Sequence, residues 1–319
     1  MSTNQVNYGV NTESVLPIRL YDYEKIYGSA SGLVFPLYYK IPDENTGTLK
    51  DQGHWQTCAA CTIAAVAEGI YRVTTGETSD TEMSEGFVYG SFRDDSSTCS
   101  GMTLSIALNY WAKIGMVKKS YFDIVTEMPE MKEIVKKYPE LIEIASKIKI
   151  DGYCAINYAD RDKRDACIKK ALMENQYGIV AVSKHAFGNP HCFQIVGWDD
   201  KRDKYLFKNS YGESYGEKGF SAISKDSINE AYVIISKPIE LPFEDVDKNH
   251  WAYKYIKNMY LNGIMSGTDS NTFEPNKPLT RAEAATLFYR VIKTIDERFG
   301  ILNNVINDKL DLAKSRKEL

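Results

Sequence analysis

No run of about 18 apolar residues, the length a helix needs to cross a bilayer, occurs in this 319-residue chain, so the sequence offers no membrane span. An excess of basic charge is missing too. Lys and Arg total 39 against 43 Asp and Glu, a net charge of −4, which provides no broad electropositive surface for nucleic acid. Histidine is scarce: the four, at 54, 185, 191 and 250, leave few candidates for any chemistry that needs an imidazole. Six cysteines, at 58, 61, 99, 154, 167 and 192, are too dispersed for the disulfide framework of a small secreted scaffold, and reduced, mostly buried thiols are expected. Met1 to Asn7 lack the basic and apolar regions of a classical export signal.

The length points to about two domains. Residues 1–14 are polar and are expected to be flexible. Val15 to Lys50 mixes Tyr, Pro and Gly in a loop-and-short-strand texture, and the apolar run from Cys58 to Tyr71, closed by Gly76, predicts a buried helix. Helical patterns follow at Thr103–Ile114 and, with heavy charge, at Met128–Ile148. After Asp151 the texture turns to strands at Tyr153–Ile156, Gly178–Val182, His191–Trp198, Lys204–Asn209, Gly219–Ile223 and Ala231–Ser236, interrupted by a helix at Asp162–Asn175. Helices first and antiparallel strands later predict an α+β domain of two lobes over 15–236. Pro238 and Pro242 bracket a linker at 237–242, a second module is expected over 243–295, and 296–319 reads as a charged helical tail.

Cys58 falls in the first turn of the predicted helix, where the positive end of the helix dipole favours thiolate. An isolated cysteine is more often a small buried hydrophobe. The Cys58-x-x-Cys61 spacing raises a redox pair or a zinc half-site, but no βαβ pattern precedes it and no second ligand pair exists, so no metal or other cofactor is expected.

Three strips carry a stronger signal. Lys50-Asp51-Gln52-Gly53-His54-Trp55-Gln56-Thr57-Cys58, then Pro190-His191-Cys192-Phe193-Gln194-Ile195-Val196-Gly197-Trp198, then Lys208-Asn209-Ser210-Tyr211-Gly212 with Gly216 and Gly219, occur in that order. His191 and Asn209 trail Cys58 by roughly 130 and 150 residues. Together they resemble the papain-like cysteine peptidases. The resemblance implies a two-lobed fold, a helical lobe beside an antiparallel β lobe, acting on protein or peptide. It implies Cys58 as nucleophile, His191 as base, Asn209 as the group that orients His191, and Gln52, with the Cys58 N–H, as oxyanion donor. Ser100 and Gly101 match the place where substrate backbone is laid, with one glycine of the usual pair missing. Tyr211 stands where a tryptophan usually shields the His–Asn contact, Ala59 replaces an aromatic and Trp55 a disulfide cysteine, which marks a divergent member. Cys61 is assigned to packing.

Past the linker, Phe243-Glu244-Asp245-Val246, His250-Trp251-Ala252, Gly263 to Gly267, Thr272-Phe273-Glu274-Pro275 and Leu279-Thr280-Arg281-Ala282-Glu283-Ala284 resemble a single S-layer homology repeat, a small α-helical module. That resemblance implies a secondary cell-wall polysaccharide as partner, met by Trp251, Gly267 and Arg281, whose guanidinium suits an anionic sugar substituent. The alternative makes Trp251 core and Arg281 a surface ion pair. Assembly of copies through the repeat or the tail is a further expectation. The combined expectation is a wall-targeted cysteine endopeptidase working through a thioester. Its alternatives are an inactive wall-binding protein and a peptidase of peptidoglycan cross-links. A wall or extracellular site sits beside a start without an export signal, which a leaderless or phage-released protein would reconcile.

Overall fold

The computed structural model describes residues 20–92, 101–123, 140–236, 241–261 and 264–293. The expected flexible N-terminus, most of the linker, the tail 296–319, Cys99 and the candidate Ser100 lie outside the described residues. The chain divides into two compact units, Met1–Ile239 and Glu240–Leu319.

In the first unit the elements run β1 (Leu20–Tyr21), α1 (Tyr23–Tyr27), β2 (Tyr38–Lys40), α2 (Cys58–Thr75), α3 (Glu85–Phe92), α4 (Leu104–Ile114), α5 (Glu140–Ala145), β3 (Gly152–Ala155), α6 (Arg161–Asn175), β4 (Ile179–Ser183), β5 (His191–Asp199), β6 (Lys204–Lys208), β7 (Phe220–Ser224) and β8 (Glu230–Ile235). Helix α2 opens after Thr57 and ends where Gly76 takes a left-handed conformation and its N–H bonds Arg72 O. Residues Ala59 to Ile70 are all buried, so α2 is enclosed on every side, as a helix apolar around its whole circumference should be. It packs with α3, and α3 with α4, to form the helical lobe around Ile63, Val66, Phe87, Tyr89, Leu108 and Trp111.

The second lobe is an eight-stranded sheet ordered β1-β3-β8-β4-β5-β6-β7, with β2 added to β5. All pairs are antiparallel except β1 with β3. Strand β5 is buried from His191 to Trp198. Both α2 and α6 pack on it, which explains why its sequence reads as a continuous apolar run rather than an alternation.

The second unit has a small core of Phe243, Val246, Ala252 and Ile256, with Phe273 and Tyr260 ringed around Phe243. Its helices are α7 (Tyr253–Leu261) and the segment 281–293. The latter opens on a reciprocal capping box: Thr280 N–H donates to Glu283 Oε2 at 2.8 Å and Glu283 N–H to Thr280 Oγ1 at 3.2 Å. Asp245 accepts from the backbone N–H of Phe273 and Glu274 and pins the intervening loop. Among the described residues no helix is long and apolar enough to cross a membrane, and no group of His, Cys, Asp and Glu could hold a metal ion.

Candidate active site

Cys58 is the first residue of α2 and is half-buried. The strip before it is fastened to the strip around Asn209. Gln52 N–H donates to Ser210 O at 2.8 Å, Gly212 N–H to Lys50 O at 3.2 Å, and Asp51 bridges to Tyr211. Gly212 makes this fit possible: its φ is +74°, and a Cβ there would meet Asp51 Oδ2 at 2.7 Å. The buried Gln52 side chain is fixed at both ends, its Oε1 accepting from Ser210 Oγ at 2.6 Å and its Nε2 donating to Trp55 O at 2.8 Å. One N–H of that amide remains for another acceptor.

His191 opens β5 opposite Ser183 of β4 and is 4% exposed. Its Nε2 lies 2.6 Å from Asn209 Oδ1, an oxygen that also accepts from Ser210 N–H at 2.8 Å. Because Oδ1 can only accept, Nε2 carries the proton and Nδ1 keeps the lone pair. Phe187 and Tyr211 flank the ring, each with centroids 4.7 Å away, Tyr211 nearly parallel at 28°. Burial holds the imidazole below its ordinary pKa, partly opposed by Asn209. Burial likewise raises the Cys58 thiol, opposed by backbone N–H groups of which the first is that of Cys192, next to His191. The Cys58 sulfur therefore sits against the start of β5, beside His191.

Two buried lysines anchor the strips. Lys50 Nζ pairs with Glu68 at 2.7 Å and Glu85 at 3.2 Å, while Glu68 also accepts from Thr48 Oγ1 and Met83 N–H. Lys208 Nζ donates to Thr46 O, Gly47 O and Thr48 O at 2.6 to 2.9 Å. Neither network, nor the Ser210 bond to Gln52, was anticipated from sequence. The available signal was Glu68 standing alone inside an apolar helical run.

The fold thus brings Gln52, Cys58, His191, Asn209 and Tyr211 together. Gly101 is exposed with open space about it. Cys61 is buried, 3.8 Å from Thr57 Oγ1, its thiol pushed up to about 12 chiefly by burial, and it forms no disulfide. His54 is exposed and lies tilted against Trp55, His185 lies exposed in the loop before β5, and His250 Nδ1 accepts from Ala252 N–H.

A family model described as papain family cysteine protease matches residues 40–239. The chain belongs to the papain family of cysteine proteases. Xylellain, a cysteine protease from Xylella fastidiosa, shares the fold with a TM-score of 0.52 at 19% identity, covering 70% of this chain and 94% of that one. This papain-family chain also carries an S-layer homology domain, matched over residues 242–285. An endoglucanase of Bacillus sp. (strain KSM-635) is 38% identical over 55 residues, 17% of this chain and 6% of that protein. Outer membrane protein alpha of Thermotoga maritima is 38% identical over 81 residues, 24% of this chain and 20% of that protein. The chain therefore spans only a small part of these relatives.

In the S-layer homology unit, Trp251 is 79% exposed and Arg281 is exposed, with no hydrogen bond or ion pair to it among the described residues. Trp251 is therefore not core. Gly267 faces inward instead: a Cβ there would crowd Phe243 Cε1 at 2.5 Å and Asp269 O at 2.6 Å, so the glycine closes its own loop.

Proposed function

We propose that this papain-family protease is an endopeptidase in which Cys58 is the nucleophile, His191 the base, Asn209 the orienting group and Gln52 an oxyanion donor. The observation that carries this reading is the 2.6 Å contact of His191 Nε2 with Asn209 Oδ1, which leaves Nδ1 as the basic nitrogen at the end of the strand against which Cys58 lies. In the acylation step the thiol proton passes to Nδ1 as sulfur bonds the peptide carbonyl carbon. The oxyanion takes the remaining Gln52 N–H and the Cys58 N–H. Collapse expels the amine with the proton from Nδ1 and leaves a thioester. Water, losing a proton to Nδ1, then attacks the thioester carbon and restores the thiol. Cys58→Ala should lower hydrolysis of a mixed peptide library by at least about 10⁴-fold; equal cleavage by variant and wild type would refute the assignment.

For the second unit the proposed partner is an anionic cell-wall polysaccharide, engaged by the exposed Trp251 ring and the unpaired Arg281. Gly267 is left out of that surface because it supports the loop. Retention on purified bacterial walls by the full chain, and its loss in Trp251→Ala and Arg281→Ala, is the test; walls that hold both variants as well as wild type exclude this surface.

A further inference from the structure

Leu33, Val34, Leu37 and Tyr38 form a short run of exposed apolar side chains in the protease unit, with Val34 97% exposed. Single exposed apolar residues are ordinary, whereas a contiguous run marks a contact surface. This run borders a groove of about 540 Å³, floored by Leu33 and Phe35 from the loop before β2 and by Ala166 and Cys167 from α6. The Phe35 ring fixes its place. It meets Trp198 edge-on at 6.3 Å, and Trp198 Nε1 donates to Pro36 O at 2.8 Å. Trp198 stands near the opposite end of β5 from His191, and at about 3.3 Å per residue the strand puts roughly 20 Å between them. The groove is thus separate from the catalytic strips.

Its rim is acidic. Glu24, Asp160, Asp162 and Asp165 line it together with Lys163. Lys163 is already spent on Glu24 at 2.9 Å, and Asp165 is answered by Lys169 and Lys225 at 2.7 and 2.9 Å. Asp160 caps α6 through one oxygen, and Asp162 has no ion pair among the described residues. An apolar floor beneath unanswered carboxylates suits a segment that carries apolar side chains beside Lys or Arg, and it repels an anionic polymer. We propose that this groove is an exosite that holds a basic, apolar segment of an unfolded polypeptide while Cys58 cleaves the same chain elsewhere. The proposal rests on the reading of Cys58 as the nucleophile. An extended chain spans about 3.3 Å per residue, so substrates of roughly ten residues or more reach both places and a hexapeptide does not. Attachment at the groove raises the local concentration of substrate at the cleft, which lowers KM without touching the chemical step.

The test compares the full chain with Leu33→Ser/Val34→Ser and Asp162→Lys. The substrates are reduced, alkylated lysozyme, which is unfolded and basic, the same protein succinylated to make it acidic, and a hexapeptide. Each variant should raise KM for the basic protein about three- to tenfold, the cost of losing an interface contact, with kcat, hexapeptide hydrolysis and the urea midpoint at wild-type values. Wild type should show a higher KM for the succinylated form, and Asp162→Lys should narrow that gap. An unchanged KM for the basic protein in both variants, or protein and hexapeptide cleavage falling together, overturns the exosite. So does a sedimenting mass that rises with concentration in wild type but not in Leu33→Ser/Val34→Ser, which would make a second copy of the chain the occupant. Binding of fluorescein-labelled basic lysozyme to Cys58→Ala separates the two readings. If wild type cleaves nothing while this binding is weakened by Leu33→Ser/Val34→Ser, the endopeptidase reading fails and the groove stands; if wild type cleaves and the binding is indifferent to those substitutions, the groove fails alone.

Discussion

The two units handle polar groups in opposite ways. In the protease unit Lys50, Glu68, Gln52, His191 and Asn209 are all buried and bonded to one another or to backbone, whereas in the S-layer homology unit Trp251 and Arg281 stand in solvent. Bond breaking requires donors fixed before the substrate arrives, which a buried, hydrogen-bonded network provides. A unit that meets a polymer surface needs accessible rings and unpaired charge instead. The same contrast holds for ion pairs. Lys50–Glu68 at 2.7 Å and Lys277–Glu274 at 2.6 Å differ little in length, but the first pair is buried and the second exposed.

That match in length gives the largest expected effect on the fold. Lys50→Met leaves Glu68 as a buried charge without its nearest cation, and loss of one partner from such a pair destabilises by about 3–5 kcal/mol. Lys277→Met should leave the urea midpoint of the full chain unchanged, because water screens that pair already. Comparable losses from both would mean that burial is not what separates the units. Next in size is Gln52→Ala, which removes an oxyanion donor and should lower kcat by about 10²–10³-fold with little change in KM. A fall in stability without a fall in kcat would make Gln52 a structural tie between Ser210 and Trp55.

A smaller effect comes from His191. Burial holds its pKa below the ordinary 6.5, so between those two values the unfolded chain binds the proton and the native state does not. Stability is therefore full above about pH 6.5 and declines as pH falls through the folded value. His191→Gln lacks that contribution, and its difference in urea midpoint from wild type should narrow between pH 7.5 and pH 5. A gap that widens on acidification would mean that the native imidazole is charged.

What could be read from the sequence follows the same division. Gln52, Cys58, His191 and Asn209 stand in short linear strips, and the strands β3 to β8 show their apolar runs, so the papain-like lobes were legible. Helix α3 was not, because Glu85 to Ser91 is buried on all sides and has no polar face to mark a 3.6-residue period. The Ser210 bond to Gln52 joins residues 158 apart in sequence and exists only once the strips are in register. The Thr280–Glu283 capping box was visible as letters, but its physical reason, closure of a helix start, appeared only with the hydrogen bonds. For Trp251 the resemblance favoured a surface ring, with core as the lesser alternative, and the choice turned on burial, which no short strip of sequence carries.

Trp251 therefore gives the smallest expected effect on the fold and the sharpest test of the contrast. At 79% exposure it has little packing to lose, and Trp251→Ala should alter the stability of the full chain by no more than about 0.5 kcal/mol, the range of ordinary surface substitutions. Peptide hydrolysis should stay at the wild-type rate while retention on walls is lost. A loss of stability above about 1 kcal/mol would mean that the ring is covered in solution. A second copy of the chain would then be the first candidate for the cover, and a midpoint that rises with protein concentration would identify it. A silent variant that still binds walls would instead move recognition to other exposed side chains of the unit, among them Tyr255, Phe288 and Tyr289.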